Sequence, residues 1–88
     1  MEYKDTVELM LSDDYRQRMV AEYQQTKIRY GKLKKYCNSI QSAQMTGNTE
    51  KEPAHERPLQ LLQRQLRIMG QYLHVLELRA EIEGITLE

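Results

Sequence analysis

From Met19 onward, apolar and semi-polar residues recur at alternating steps of four and three: Met19, Tyr23, Thr26, Tyr30, Leu33, Cys37 and Ile40. Such spacing puts seven side chains on one face of a helix and predicts a long helix over 13–43. Ser12, Asp13 and Asp14 stand before it as capping residues, with negative charge near the positive end of the helix dipole. Further along, Leu59, Leu62, Leu66, Met69, Leu73, Leu76 and Ala80 hold the same alternation and predict a second long helix over 58–85. Pro58 suits its first position, and Gly84 suits its end, with Ile85 and Leu87 packing beyond.

The second helix carries one stripe too many. Leu61, Ile68, Val75 and Ile82 recur every seven residues, about 130° around the helix from the centre of the first stripe at about 100° per residue. One stripe serves the first helix, and the other calls for a different partner, so the pattern predicts self-association. Between the helices, 44–57 has no periodicity and contains Gly47, Asn48 and Pro53, which makes it a loop of unusual length. Ahead of them, Asp5 and Glu8 have capping-box spacing and open a short helix within 1–12, whose Leu9, Met10 and Leu11 are set to pack on a neighbour. Gly31, in mid-helix, costs about 1 kcal/mol relative to alanine and permits a kink or a close approach. The fold class is therefore all-α: a short N-terminal helix, then an antiparallel hairpin of two long helices, the first with a point for kinking, assembled as a homo-oligomer within a single domain over 1–88.

Length supports the oligomer. A chain of 88 residues buries only about 60 to 65% of its unfolded surface, so a lone protomer is marginal and needs a staple. A single cysteine, Cys37, makes no internal disulfide, and His55 and His74 have no second thiol to complete a zinc spacing. His74 and Glu77, one turn apart, are two ligands at most and read better as a surface pair. No metal or cofactor is expected. The N-terminus shows no signal-peptide pattern and no run approaches 18 apolar residues, so the expectation is a cytosolic protein without a membrane partner.

Charge changes the picture more than composition does. The net charge is zero, yet residues 16–35 carry seven basic side chains against Glu22 alone, while both ends are acidic. A ligand feels the local field rather than the sum. Arg16, Arg18, Lys27, Arg29, Lys32, Lys34 and Lys35 fall mostly off the packing stripe and are presented to solvent. The simplest reading is a solubilising face. Against it stands the aromatic supply, six tyrosines with no Phe or Trp, because a phenol beside a cation offers a flat face for a base and charge for a phosphate. Tyr15, in the first turn beside Arg16 and Arg18, is the tyrosine least easily assigned to a core. No nucleophile elbow, phosphate loop, HExxH or paired cysteine occurs, so catalysis is not expected.

The stretches DDYRQRMVAEYQQTKIRYGKLKK and PLQLLQRQLRIMGQYLHVLELRAEIEGI resemble a family of short phage proteins with a Y-x-x-R-[MV] opening and a second helix of form LLxxQLxxMxxYLxxLExRxxxxGI. That family includes the anti-CBASS sponges, which sequester cyclic oligonucleotide second messengers and so disarm a bacterial defence. The resemblance implies a hexamer of kinked hairpins without catalysis, holding cyclic dinucleotides such as cyclic GMP-AMP between protomers. It places Tyr15 and Arg18 at the ligand directly, with Lys27, Arg29 and Lys32 sharing the place of a later basic residue. Some relatives also hold cyclic trinucleotides at a separate site on the second helix, for which Arg67 and Arg79 are the candidates here. Two other readings stay open: a helical interaction module that blocks or bridges a host protein through the basic face, and nucleic-acid binding, which the neutral total disfavours.

Overall fold

The computed structural model describes residues 3–88. A 3-10 turn, Tyr3–Thr6, leads into a four-residue helix α1, Val7–Met10; two long helices follow, α2, Tyr15–Thr46, and α3, Leu59–Glu83. No strand occurs among the described residues. Residue numbers climb along α2 as their partners fall along α3, with Tyr15 meeting Glu83, Tyr23 meeting Glu77 and Tyr30 meeting Gly70, so the pair is an antiparallel hairpin.

The caps explain the boundaries. Asp14 is the N-cap of α2 and its carboxylate accepts the Arg16 N–H at 2.9 Å, while Ser12 Oγ accepts from Asp14 N–H at 3.0 Å. At the other end Gly47 adopts a left-handed conformation at φ 68°, so α2 runs three residues past the expected 43. Pro58 is the N-cap of α3 rather than its first helical residue; its carbonyl accepts from the N–H groups of Leu61 and Leu62. Gly84, at φ 70°, closes α3, and the Ile85 N–H returns to the Ala80 carbonyl at 2.9 Å. Asp5 lies inside the 3-10 turn, and the cap position of α1 is Thr6, which makes no side-chain cap bond. Thr6 Oγ1 instead accepts from Gln25 Nε2 at 2.7 Å, a buried bond that ties the N-terminal segment to α2. Within the protomer Leu9 is half-buried, whereas Met10 and Leu11 are exposed.

Both expected stripes pack. Met19, Tyr23, Leu73, Leu76 and Ala80 form one buried cluster, joined by Tyr30 and by Ile85 and Leu87 of the tail. Cys37, Ile40 and Leu62 form a second, flanked by Leu33, Tyr36 and Leu59. Burial raises the Cys37 thiol above its ordinary pKa, which leaves it an inert packing group. Gly70 packs against Tyr30, where a Cβ would lie 3.3 Å from the ring. Gly31 has nothing within 4 Å of that position, and α2 continues as one helix through it.

The hairpin is long and thin, 49 × 25 × 19 Å. Its radius of gyration of 16.1 Å exceeds the roughly 12 Å of a compact chain this size. A rod of this kind buries one face of each helix and leaves the rest outside. Leu61, Ile68, Val75 and Ile82 are accordingly exposed within the protomer, as the seven-residue spacing predicts.

Candidate functional site

The first turn of α2 and the last turns of α3 meet at one end of the hairpin, because the antiparallel register brings the start of one helix beside the finish of the other. Tyr15 projects from the first turn of α2 and is 43% exposed. Its hydroxyl accepts from Arg79 Nη2 and donates to Glu83 Oε2 at 3.5 Å. Arg79 Nε lies 3.7 Å from the same carboxylate oxygen. Arg18, one turn beyond Tyr15, donates from Nη1 to the Ser12 carbonyl at 3.0 Å, which holds its guanidinium near the same end. An exposed aromatic ring engaged by one guanidinium, with a second guanidinium held at the same end of the hairpin, therefore stands on two long helices.

The later basic residues of α2 divide between two sides of the molecule. Lys27 and Lys32 line an open groove of 840 Å³ with Gln24, Ile28 and Lys35. The tail after Gly84 borders this groove: the Leu87 carbonyl accepts from Gln24 Nε2, and Glu88 pairs with Lys27. Lys27 Nζ also lies 5.6 Å from the centre of the Tyr23 ring. Arg29 lines a different cleft, of 330 Å³, with Glu22, Leu33, Ile68 and Tyr72, and reaches Thr26 Oγ1 at 3.5 Å. Lys27 and Lys32 thus open onto a different cleft from Arg29 inside a protomer. Helix geometry gives the reason: Lys27 is about 120° around α2 from Tyr15, whereas Arg29 is within about 40° of it.

On α3, Arg79 sits with Tyr15, while Arg67 is exposed and lies twelve residues earlier. Tyr72, Glu22, Glu83 and Glu88 are residues that periodicity passed over. Burial raises the Tyr72 phenol first, and the charge and hydrogen bond of Glu22 add to it, with Arg79 pulling the other way. Tyr23 is raised by burial and by its 3.0 Å hydrogen bond to Glu77. Both phenols stay neutral donors through the physiological range. A tyrosine off the packing stripe and one turn from Ile68 was the signal available for Tyr72.

Among the described residues no group of three or more His, Cys, Asp and Glu is placed to hold a metal ion, and His74 is exposed. No helix is long and apolar enough to cross a membrane among them. Buried side-chain nitrogen and oxygen atoms among the described residues all have partners, so the polar groups left for a ligand are those at the surface.

Comparison with curated proteins and with solved structures gave no match. A family model, Sequestin, matches residues 13–82, which takes in the Asp14 cap, Tyr15, Arg18, the basic face and Arg79. With that match spanning both long helices and the contact between them, the chain belongs to the Sequestin family, the phage anti-CBASS cyclic-nucleotide sponges.

Proposed function

We propose that this protein binds and sequesters cyclic dinucleotides such as cyclic GMP-AMP in the cytosol of an infected host cell, removing the second messenger without chemistry. The observation that carries the reading is the exposed Tyr15 ring engaged by Arg79, with Arg18 at the same end of the hairpin, in a chain of this family. Stacking on the phenol supplies a sequence-tolerant contact to a base, and guanidinium groups supply forked donors to phosphate oxygens.

A cyclic dinucleotide has two similar halves, which suits a two-fold junction where each protomer offers one ring and one set of cations. Lys27, Arg29 and Lys32 each lie about 18 Å or more along α2 from Tyr15, so each meets such a ligand from a neighbouring protomer, Lys27 and Lys32 from one cleft and Arg29 from another. The assembly we propose is a hexamer built through the exposed Leu61, Ile68, Val75 and Ile82 stripe, with Gly31 as the point where α2 can bend. A separate cyclic trinucleotide site belongs to the same reading, with Arg67 as its cation on α3.

Calorimetry with a panel of cyclic dinucleotides and trinucleotides tests the ligand. Saturable heat with at least one cyclic dinucleotide is expected, and its salt dependence should be shallow, because two phosphates release few counterions. No heat at high micromolar protein would sink the reading and return the basic face to a protein partner.

Light scattering tests the assembly. The wild-type mass should be a multiple of the 10.5 kDa chain, and Ile68→Asp with Val75→Asp should reduce it toward one chain, since two buried unpaired carboxylates cost several kcal/mol. A wild-type protein of single-chain mass would refute the oligomer.

A further inference from the structure

We infer that Arg79 and Glu83 belong to the Tyr15 site, Arg79 as a phosphate-binding cation and Glu83 as an internal carboxylate that holds the phosphate's place before the ligand arrives. The inference rests on the cyclic dinucleotide reading and assigns two residues of α3 to it.

The geometry is that of an anion site already filled by an anion. Arg79 engages the Tyr15 hydroxyl through Nη2 and faces Glu83 Oε2 through Nε at 3.7 Å. A guanidinium has five donors in a fixed fork, so most of its capacity remains for a second acceptor. Glu83 contacts both partners at long range, 3.5 Å to the Tyr15 hydroxyl and 3.7 Å to Arg79, where a charge-assisted bond prefers about 2.7 to 2.9 Å. The Arg79 and Glu83 side chains are 48% and 37% exposed. A loosely held, exposed carboxylate is one that a phosphate can displace, because solvent takes up the released charge cheaply.

The same geometry separates Arg79 from Arg67. Twelve residues of helix place them about 18 Å apart along α3 and about 120° around it, so in one protomer they do not grip the same small ligand. Glu83 also accounts for a feature the ligand reading alone leaves unused: an acidic group at the one phenol where an anion is wanted. It keeps Arg79 beside the ring when the site is empty and adds selectivity for ligands that bring enough negative charge to replace it.

The test is calorimetry of wild type, Arg79→Ala, Arg79→Lys and Glu83→Gln with the cyclic dinucleotide that wild type binds best, alongside thermal melts and sizing. Arg79→Ala should weaken binding by about ten- to a hundredfold, with Arg79→Lys between it and wild type. Glu83→Gln should tighten binding severalfold, since it removes the competing charge and keeps the shape. An ion pair that served only the fold would shift the melts of both variants and never move affinity in opposite directions. Arg79→Ala binding like wild type would overturn the assignment of Arg79, and Glu83→Gln binding more weakly would overturn the place-holding role. Should Arg79→Ala alter the oligomer, Arg79→Gln keeps the length and polarity and is judged by the same criterion. A wild-type protein that binds no cyclic nucleotide overturns the ligand reading itself and this assignment with it, an outcome distinct from the others.

Discussion

Tyr15→Ala is expected to lower cyclic dinucleotide affinity by at least about tenfold while leaving the hairpin folded and the oligomer intact. Stacking of a base on an aromatic ring contributes about 1 to 3 kcal/mol, and 1.4 kcal/mol is a factor of ten. The fold has little stake in the ring: Tyr15 is 43% exposed and lies outside both core clusters, and its hydroxyl is bonded to Arg79 and Glu83 at the surface. Exposed polar contacts of that kind are worth about 0 to 1 kcal/mol. Tyr15→Phe sharpens the result, because it keeps the ring and removes the hydroxyl through which Arg79 and Glu83 are engaged. If the base is read by stacking, the phenylalanine variant retains most of the affinity that the alanine variant loses. A melt or sizing profile for Tyr15→Ala that departs from wild type would instead make Tyr15 a structural residue.

Leu76→Ala should be among the most destabilising single truncations in the hairpin. Leu76 is 2% exposed in the cluster formed with Met19, Tyr23, Leu73 and Ala80. A buried Leu→Ala change costs about 2 to 5 kcal/mol, the lost transfer energy plus the cavity left behind. Domains of this size have about 5 to 15 kcal/mol in total, and each kcal/mol moves Tm by about 4 to 8 °C. A fall of about 10 °C or more in thermal melts is therefore expected. Ile82→Ala is the control, since Ile82 is 83% exposed in the protomer. Comparable losses from the two substitutions at concentrations where the protein is a single chain would mean that the core lies elsewhere.

Much of the hairpin is legible in the residues because helix packing is periodic and local. A four-three alternation of Met, Tyr, Thr, Leu, Cys and Ile names the face that must be buried, and Met19, Tyr23, Thr26, Cys37 and Ile40 are buried in the fold. Asp14 and Gly84 mark their helix ends because capping is a chemistry of one or two residues. The misplaced N-terminal cap shows where that logic weakens. Asp5 and Glu8 have suitable spacing, but the cap position falls on Thr6, which Gln25, 19 residues away, holds through a buried bond. Gln24 and Gln25 are buried for the same reason, each anchored by a partner far away in the chain, and no hydropathy pattern marks a buried glutamine.

The candidate site was legible only as a set of names. Tyr15, Arg18 and the basic stretch are visible as chemistry, and helical arithmetic already separates Lys27 from Arg29. What periodicity within one helix does not contain is the register of two helices against each other, and it is the register that joins Tyr15 to Arg79 across 64 residues. The close approach follows the same rule: Gly31 and Gly70 are both mid-helix glycines, and only the packed hairpin reveals that the Tyr30 ring lies against Gly70 while Gly31 faces open space.

The sequence by itself thus determined the two long helices, their caps at Asp14 and Gly84, the two faces that pack and the face that does not, because these depend on interactions within a few residues and on a fixed period of about 3.6. Only the tertiary structure decided which cations stand together, that Arg79 and Glu83 complete the surroundings of Tyr15, and that Lys27 and Lys32 face a groove bordered by the tail. Those outcomes depend on how far one helix slides along the other before its side chains interlock, a quantity set by the whole interface at once and by no single segment of it.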